Sequence, residues 1–210
     1  MAHLYLFCTC LLLFFTSFGA NAQRNDELSF YRYFYGVNYQ MLNVNDINAG
    51  TDLDMQVDDT AHAIGLYFKG EPWSFVQYSV GIDVMRISDD NPFTQEVENN
   101  LTGNVSNRQS NVLGKALYGE FGLKHDFTST KNLTLGILGG YRYNSVSRSI
   151  FRCSSCEEQK LNSFESSFYA KSFVEYQFTR HVHLQLYYNY YFNDTGFSDG
   201  VGLQVSFHAQ

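Results

Sequence analysis

The chain has 210 residues and a formal net charge of −7, with 17% aromatic residues, 17% charged residues and two prolines. The acidic balance, without any run of basic residues, argues against a nucleic-acid-binding protein. Few prolines and many aromatic residues are typical of a single domain built from many strands and tight turns.

An apolar run near the N-terminus predicts a secretory signal peptide. Residues 4–18 are predominantly apolar, and Ala20-Asn21-Ala22 has the A-x-A form of a cleavage site, although the segment before the run carries His3 and no Lys or Arg. The run spans about 15 residues, fewer than the ~20 of a transmembrane helix. We therefore expect residues 1–22 to be removed after Ala22 and residues 23–210 to form the mature domain. No later segment reaches about 18 apolar residues, so strands must make any further membrane crossing.

The first strand is predicted where apolar residues, mostly tyrosines, recur at every second position. Tyr31, Tyr33, Tyr35, Val37, Tyr39 and Met41 alternate with Arg32, Phe34, Gly36, Asn38 and Gln40, which is the two-residue period of a strand. Residues 43–59 then contain five aspartates and no basic residue, and they predict a polar loop.

This acidic loop offers only weak metal ligands. Asp52, Asp54, Asp58 and Asp59 are oxygen ligands of the type that Ca²⁺ and Mg²⁺ prefer. The EF-hand pattern with its central glycine is missing, and a solvated acidic loop is the favoured interpretation. We predict neither a metal site nor a cofactor.

Three further strands are predicted before residue 128. Strand two covers residues 60–69 and ends at a turn over Gly70-Glu71-Pro72-Trp73. Strand three begins at Val76 and alternates Val80, Ile82 and Val84 with polar or small residues. A second long polar loop is predicted over residues 88–109, and strand four over residues 111–127.

Strand five begins at Leu133 and leads into a third long loop, which contains Cys153 and Cys156. In an oxidising compartment, two cysteines this close most simply form a loop disulfide. A ring this short gains little loop-closure entropy, so it would shape the loop more than stabilise the fold. Free thiols and a redox or metal site are the alternatives, but a redox C-x-x-C motif belongs in a βαβ context that the sequence does not show.

Residues 166–192 predict a hairpin of two strands, and residues 200–207 a last strand with the same two-residue period. The hairpin strands approach the 9 to 11 residues that cross a bilayer at a tilt. Eight strands with alternating short and long connections predict an all-β fold: an antiparallel up-and-down transmembrane β-barrel with short periplasmic turns and longer external loops.

The chain resembles the small eight-stranded outer-membrane barrels of Gram-negative bacteria, of the OmpA, OmpX and OmpW kind. The most specific piece is the last strand, Gly200-Val201-Gly202-Leu203-Gln204-Val205-Ser206-Phe207, which is similar to the C-terminal signal that the barrel-assembly machinery reads in those families. There the aromatic residue is usually the final one, whereas His208, Ala209 and Gln210 follow it here. The resemblance implies a location in the cell outer membrane, among membrane lipid and lipopolysaccharide.

A soluble lipocalin-like binding protein is the structural alternative, because it also has eight up-and-down strands but turns its apolar face inward. Long strands, unequal loops at the two ends and aromatic residues near strand ends favour the membrane version. In a soluble barrel the polar face would be the outer surface, and this face has unusually few charged residues for a surface in water.

Under the membrane version, a set of charged residues of both signs points into the barrel. They are Arg32, Asp83, Glu120, Lys124, Arg142, Lys171 and Glu175. Buried charges need partners, and eight strands leave room for little more than side chains. We therefore predict an ion-pair network that fills the lumen, with a narrow or gated channel for small or apolar solutes as the alternative.

No catalytic motif is found, and we predict that the protein is not an enzyme. Some eight-stranded outer-membrane barrels modify lipid A, but the His-x-Ser pair of the deacylase family is absent. His62, Ser88 and Asp89 are the remaining candidates, although His62 has the parity of lipid-facing Ile64 and Leu66. His181 and His183 are interpreted as solvated turn residues. The favoured role is structural or adhesive, with the three long loops presented to an unknown external partner and with Lys115 able to reach lipid phosphates.

Overall fold

A computed structural model describes residues 31–45, 57–89, 92–98, 103–127, 132–162, 164, 166–192 and 196–209 of the chain. The predicted signal peptide, residues 1–22, lies outside these residues. Within the described ranges, no helix is long and apolar enough to cross a membrane.

Eleven strands occur in this part of the chain. They are β1 (Arg32–Val44), β2 (Val57–Trp73), β3 (Val76–Asp89), β4 (Thr94–Glu98), β5 (Val105–Gln109), β6 (Asn111–Asp126), β7 (Leu133–Ser149), β8 (Glu158–Lys160), β9 (Ser167–Gln177), β10 (Val182–Tyr191) and β11 (Phe197–His208). The short strands β4, β5 and β8 belong to the long connections, and the other eight form one wall.

The wall is a closed antiparallel barrel. Its strands are paired in the order β6, β3, β2, β1, β11, β10, β9, β7, and a further pairing between β6 and β7 closes the ring. The first and last strands pair directly, with Phe34 opposite His208 at one end and Leu42 opposite Gly200 near the other. Closure leaves no open sheet edge in the wall. The predicted eight-stranded barrel is confirmed.

Along the middle of each wall strand, side chains alternate between an apolar exterior and a polar interior. On β1, Tyr35 is 57% exposed and Tyr39 is 47% exposed, whereas Asn38 and Gln40 between and beyond them are almost fully buried. Hydrocarbon around the barrel accommodates such an exterior, and a polar lumen is the pattern of outer-membrane barrels. An apolar interior, as in a lipocalin-like barrel, is therefore wrong for this part of the wall.

The structure differs from the prediction at one turn and two long loops. The turn predicted at Gly70–Trp73 lies one step further along the chain, at Ser74 and Phe75, because β2 continues through Pro72 with an irregular register near its end. The second long loop is not irregular throughout, since β4 and β5 pair as an external hairpin. In the third, β8 pairs with the end of β7.

Inward-pointing aromatic rings lie over glycines on the neighbouring strands. Each ring belongs to the residue directly opposite the glycine, and a Cβ built on the glycine would lie within 3.0 Å of the ring. The pairs are Gly36 with Tyr67, Gly81 with Tyr118, Gly136 with Phe173, Gly140 with Tyr169 and Gly202 with Tyr187. The glycines thus create the space in which the rings fill the narrow interior.

This arrangement predicts opposite outcomes for two Gly→Val substitutions. A Cβ at Gly81 would lie 2.4 Å from Cζ of Tyr118, so Gly81→Val should lower the free energy of unfolding by about 1–3 kcal/mol through overpacking. Gly139 faces outward with no atom within 4 Å of its Cβ position, so Gly139→Val is the matched control and should change stability little. Denaturant unfolding in lipid vesicles measures both, and equal destabilisation would contradict the ring-over-glycine packing.

Candidate functional site: the filled barrel interior

The barrel interior gathers most of the buried polar and charged side chains. From the end that carries the short turns towards the end that carries the long loops, it contains a lower charged cluster, a middle charged cluster and an apolar mouth. Each of the three has its own packing and electrostatics.

Glu71 is the centre of the lower cluster. Its Oε2 lies 2.6 Å from Nη2 of Arg32 and 2.9 Å from Nζ of Lys124, and its Oε1 lies 3.5 Å from Nζ of Lys69. The Glu71 side chain is only 1% exposed. Because a buried carboxylate requires compensation, three cations from three strands converge on it.

Glu175 is the second acceptor of the lower cluster. Its Oε2 lies 2.6 Å from Nζ of Lys69, and its Oε1 lies 2.8 Å from Nδ1 of His183. Lys69 also lies over the ring of Phe34, with Nζ 4.3 Å from the ring centroid. Lys69 therefore links the two carboxylates, and the lower cluster is one connected network.

In the middle cluster, Asp83 is paired with Arg142. Nη1 of Arg142 lies 2.7 Å from Oδ2 of Asp83, and the amides of Asn38 and Gln40 donate to the same carboxylate at 2.9 Å and 3.2 Å. Nε of Arg142 donates to Oδ1 of Asn144 at 3.0 Å. The pair is thus held by neutral hydrogen-bonding partners from β1 and from β7 itself.

The other pair of the middle cluster joins Glu120 and Lys171. Nζ of Lys171 lies 3.1 Å and 3.3 Å from the two carboxylate oxygens, and the hydroxyls of Tyr169 and Ser79 also donate to Glu120. Lys171 makes a further hydrogen bond to Oε1 of Gln204 at 3.1 Å. Both middle pairs combine one cation with one carboxylate, so the middle cluster adds no net charge.

The packing in the middle of the barrel is tight. The small space that Glu120, Arg142 and Lys171 line with Tyr118, Tyr187 and Asn189 has no room for a water molecule. This agrees with an eight-stranded barrel, whose interior is only wide enough for side chains. The lower and middle clusters together therefore occlude the lumen in this structure.

The mouth at the loop end is apolar, which the sequence analysis did not predict. Inward-pointing side chains on all eight wall strands form this core with contributions from the third loop. They are Leu42, Val44, Ala61, Ala63, Met85, Ile87, Val112, Ala116, Val146, Leu161, Phe164, Tyr169, Tyr191 and Phe197. The prediction of a polar lumen is correct for the lower and middle clusters and wrong for the mouth.

The outward face changes character at the same level. Above it, most outward positions of β1, β2, β3, β6, β7 and β11 are polar: Asn43, Thr60, Ser88, Asn111, Ser145, Ser147, Ser149 and Asp199. Leu113 is an apolar exception on β6, and beside β9 and β10 the exposed Phe168, Tyr190 and Phe192 keep the outward face aromatic. These six strands are apolar outside and polar inside below this level, and mostly polar outside and apolar inside above it. This is the arrangement of a water-soluble barrel, and it indicates that the upper wall stands in water.

Two residues of the third loop cover the mouth. Leu161 and Phe164 are 3% and 2% exposed, and the backbone N–H of Leu161 donates to the carbonyl of Val146 at 3.0 Å. The ring of Phe164 lies 5.3 Å from that of Phe197. The loop thus completes the apolar core and closes the external end of the lumen.

One ion pair lies beside this mouth. Nε and Nη2 of Arg148 contact the two oxygens of Asp89 at 2.6 Å and 3.0 Å, and the hydroxyl of Ser110 donates to Asp89 at 2.8 Å. This bidentate pair joins the ends of β3 and β7 where the external hairpin leaves the wall.

All seven predicted lumen residues point into the barrel, but they form two networks. Arg32, Lys124 and Glu175 belong to the lower cluster, and the other four form the two middle pairs. Sequence reasoning missed Glu71, because Gly-Glu-Pro-Trp was interpreted as a turn, and it also missed Lys69 at the end of the predicted strand two. The inward parity of Ala61, Ala63, Gly65 and Tyr67 continues through both residues and would have placed them in the lumen.

The structure corrects the interpretation of the histidines. His181 is exposed at a turn, as predicted, but His183 is not solvated, since it is 4% exposed and contacts Glu175. His62 and Ser88 face outward, whereas Asp89 is held by Arg148, so the three candidate catalytic residues do not converge. His62 instead accepts or donates a hydrogen bond with the hydroxyl of Tyr39 at 2.7 Å.

The remaining candidate sites lie in the external connections. Cys153 and Cys156 are joined by a disulfide in the third loop. Asp52 and Asp54 lie outside the described residues, and at Asp58 and Asp59 only the backbone of β2 is described. Among the described side chains, no group of three His, Cys, Asp or Glu residues could hold a metal ion.

The lower cluster predicts a large effect for Glu71→Gln. The substitution removes the carboxylate that three buried or half-buried cations share, so the free energy of unfolding should fall by about 3–5 kcal/mol. Glu98→Gln, at an exposed position of β4, removes the same charge and should have little effect. Denaturant unfolding in vesicles compares them, and a loss below 1 kcal/mol at Glu71, as for exposed pairs, would contradict the proposed role of this carboxylate.

Comparison with known proteins gives structural similarity without close sequence similarity. No protein-family model matches the chain, and no curated protein is similar to it. Ail, the attachment invasion locus protein of Yersinia pestis, in complex with the heparin analogue sucrose octasulfate, aligns with a TM-score of 0.50 at 12% identity, covering 85% of this chain and 97% of that chain.

Two other solved structures align at lower scores. Neisserial surface protein A has a TM-score of 0.41 at 11% identity, with 86% of this chain and 95% of that chain covered. The outer membrane protein OprG from Pseudomonas aeruginosa has a TM-score of 0.39 at 9% identity, with 84% and 92% covered. Together with the closed wall, its apolar belt and its polar lower lumen, the comparison identifies the fold as that of a small eight-stranded outer-membrane β-barrel.

Proposed function

We propose that the protein resides in the outer membrane and acts through its external surface, in a structural or adhesive role, and not as a conduit. The observation that carries this proposal is the filled interior. A charged network occupies the lower lumen, two ion pairs occupy the middle, and an apolar core occupies the mouth. A hydrated ion or solute would have to displace both buried ion pairs and packed side chains.

The external connections support a surface role. The β4–β5 hairpin and the third loop both carry regular structure, and the backbone N–H of Glu157 donates to Oε1 of Gln95 at 3.1 Å between them. The disulfide between Cys153 and Cys156 further restrains the third loop. An ordered surface loses less conformational entropy on binding a partner than a flexible one.

The fold itself does not choose the function, because one fold can support unrelated activities. The choice against a channel therefore rests on the interior of this chain. The choice against a lipid-modifying enzyme rests on His62, Ser88 and Asp89, which face different sides of the wall.

Export and assembly form part of the proposal. A signal peptide covering residues 1–22 directs export and is removed after Ala22. The barrel-assembly machinery then recognises the strand from Gly200 to Phe207, which lies within β11 and pairs with β1 to close the ring.

A closed lumen predicts the absence of stable conductance in planar lipid bilayers. The purified protein should first show the mobility difference between boiled and unboiled samples that a folded barrel gives in detergent gels. With folding established in this way, we expect no stable conductance steps, because charged layers and the apolar mouth block the axis. Reproducible steps of a fixed size would show that the lumen opens and would favour the channel alternative.

The proposed orientation predicts which engineered cysteines react in intact cells. Val105→Cys, on the external hairpin, should be labelled by a membrane-impermeant maleimide, whereas Ser74→Cys, at a short turn, should react only after permeabilisation. The paired Cys153 and Cys156 should not react, and N-terminal sequencing of the labelled protein should begin at Gln23. The reverse labelling pattern would contradict the orientation, and an uncleaved N-terminus would contradict the signal peptide.

A further inference from the structure

Basic side chains form a short row on the outer surface of the wall. His62 on β2, Arg86 on β3 and Lys115 on β6 are exposed and face outward. His62 lies directly opposite Arg86, and Lys115 lies opposite Val84, two residues from Arg86 along β3. Direct and diagonal neighbours of this kind have Cα atoms about 5–8 Å apart, so the long side chains of Arg86 and Lys115 can reach one common group.

The row lies at the level where the wall changes character. Below it, the outward residues are apolar, as in Ile64, Val84 and Leu117. Leu113 lies beside the row, opposite Arg86, and the next outward residues above are polar, as in Ser88 and Asn111. Val76 follows the short turn, and Arg86 lies ten residues further along β3. With about 3.3 Å per residue and a strand tilt of about 40°, the two residues are about 25 Å apart along the barrel axis. An apolar belt of about this height separates the two interfaces of an outer-membrane barrel, so the row lies at the external interface.

The cations of the row have no carboxylate partner among the described residues. Neither Arg86 nor Lys115 takes part in any of the salt bridges found there. Arg86 uses one N–H in a 3.1 Å hydrogen bond to Oδ1 of Asn111, which leaves most of its five donors for another acceptor. Asp199, the acidic side chain described on the outward face of the wall, lies two strands from His62 and accepts from Asn43 at 2.7 Å.

A shallow apolar groove begins directly beneath the row. It has a volume of about 640 Å³ and is lined mainly by outward side chains of β2, β3, β6 and β7, including Ile64, Leu66, Ile82, Val84, Leu117 and Tyr143. Lys115 lies at its upper border. An anionic group bound at the row would therefore carry an attached hydrocarbon chain down into the groove.

We infer that this row and groove bind a phosphorylated lipid of the external leaflet, with one phosphate held by Arg86 and Lys115 and an acyl chain in the groove. A guanidinium forms two parallel hydrogen bonds with phosphate oxygens, while an ammonium contributes a compact positive charge. The inference rests on the outer-membrane location proposed above and extends it to a specific site on the wall.

The test measures binding of two lipids to the folded barrel in detergent by native mass spectrometry. The probes are diphosphorylated lipid A and the same lipid after its phosphates have been removed. The wild-type protein should bind the phosphorylated form about tenfold more tightly, as expected when hydrogen bonds to a charged group are lost. Equal binding of the two lipids would overturn the phosphate site.

Two double variants distinguish a specific effect of Arg86 and Lys115 from a general effect of net charge. Arg86→Gln with Lys115→Gln should lose the preference for the phosphorylated lipid. Arg152→Gln with Lys160→Gln removes the same charge from the exposed third loop and should keep it. Similar losses in both double variants, or none in the first, would overturn the assignment to the row.

A third variant tests the groove without changing charge. Val84→Trp fills the groove next to Lys115 and should weaken binding of the phosphorylated lipid, whereas unchanged binding would overturn the combined site.

The same spectra count protein copies, and a dimer that disappears in the Arg86→Gln, Lys115→Gln variant would show that a second copy occupies the row instead. A wild-type protein without the boiled and unboiled mobility difference would refute the membrane barrel itself. A folded barrel that ignores the phosphates refutes only this site.

Discussion

Hydrogen bonding of the backbone within hydrocarbon is the constraint on which the rest of the molecule depends. Lipid offers no partner for N–H or C=O groups, so a sheet that crosses it must close on itself. Closure is made by β1 with β11 and by β6 with β7. Once eight strands form the ring, the interior is narrow, and its contents are decided by side-chain packing and not by solvent.

The contents of that interior follow from the cost of burying charge. The lower cluster combines Arg32, Lys69 and Lys124 with Glu71, Glu175 and the nearby Asp126, and the middle pairs combine two cations with two carboxylates. Balanced layers limit the desolvation cost that an isolated charge would carry. Glycines opposite the inward aromatic rings allow the remaining volume to be filled without overpacking.

Much of this was predictable from the sequence, because a two-residue period with a strong apolar contrast is easily recognised. The alternation of Tyr35, Val37 and Tyr39 with polar Asn38 and Gln40 predicts both the strand and which residues share each of its faces. The contrast fades at the upper ends of the strands, so residues 43–44, 57–59 and 88–89 are predicted as loop although they belong to β1, β2 and β3. Because Pro72 favours a turn, Glu71 is not predicted to point into the lumen. His183 is likewise interpreted as a turn residue and not as an inward residue of a strand. The partners within each ion pair depend on strand register and stagger, which local sequence patterns do not specify.

The exchange of apolar and polar faces partway up the wall also fixes how deeply the barrel sits in its membrane. If the barrel sank by two residues, Ser145 and Asn111 would enter hydrocarbon, and if it rose by the same amount, Ile64 and Tyr143 would enter water. Either displacement carries a hydrophobic-mismatch cost, which a bilayer of different thickness would have to meet by deforming around the protein. The height of the apolar belt therefore sets the bilayer thickness that the protein matches best, and the protein should favour membranes of that thickness.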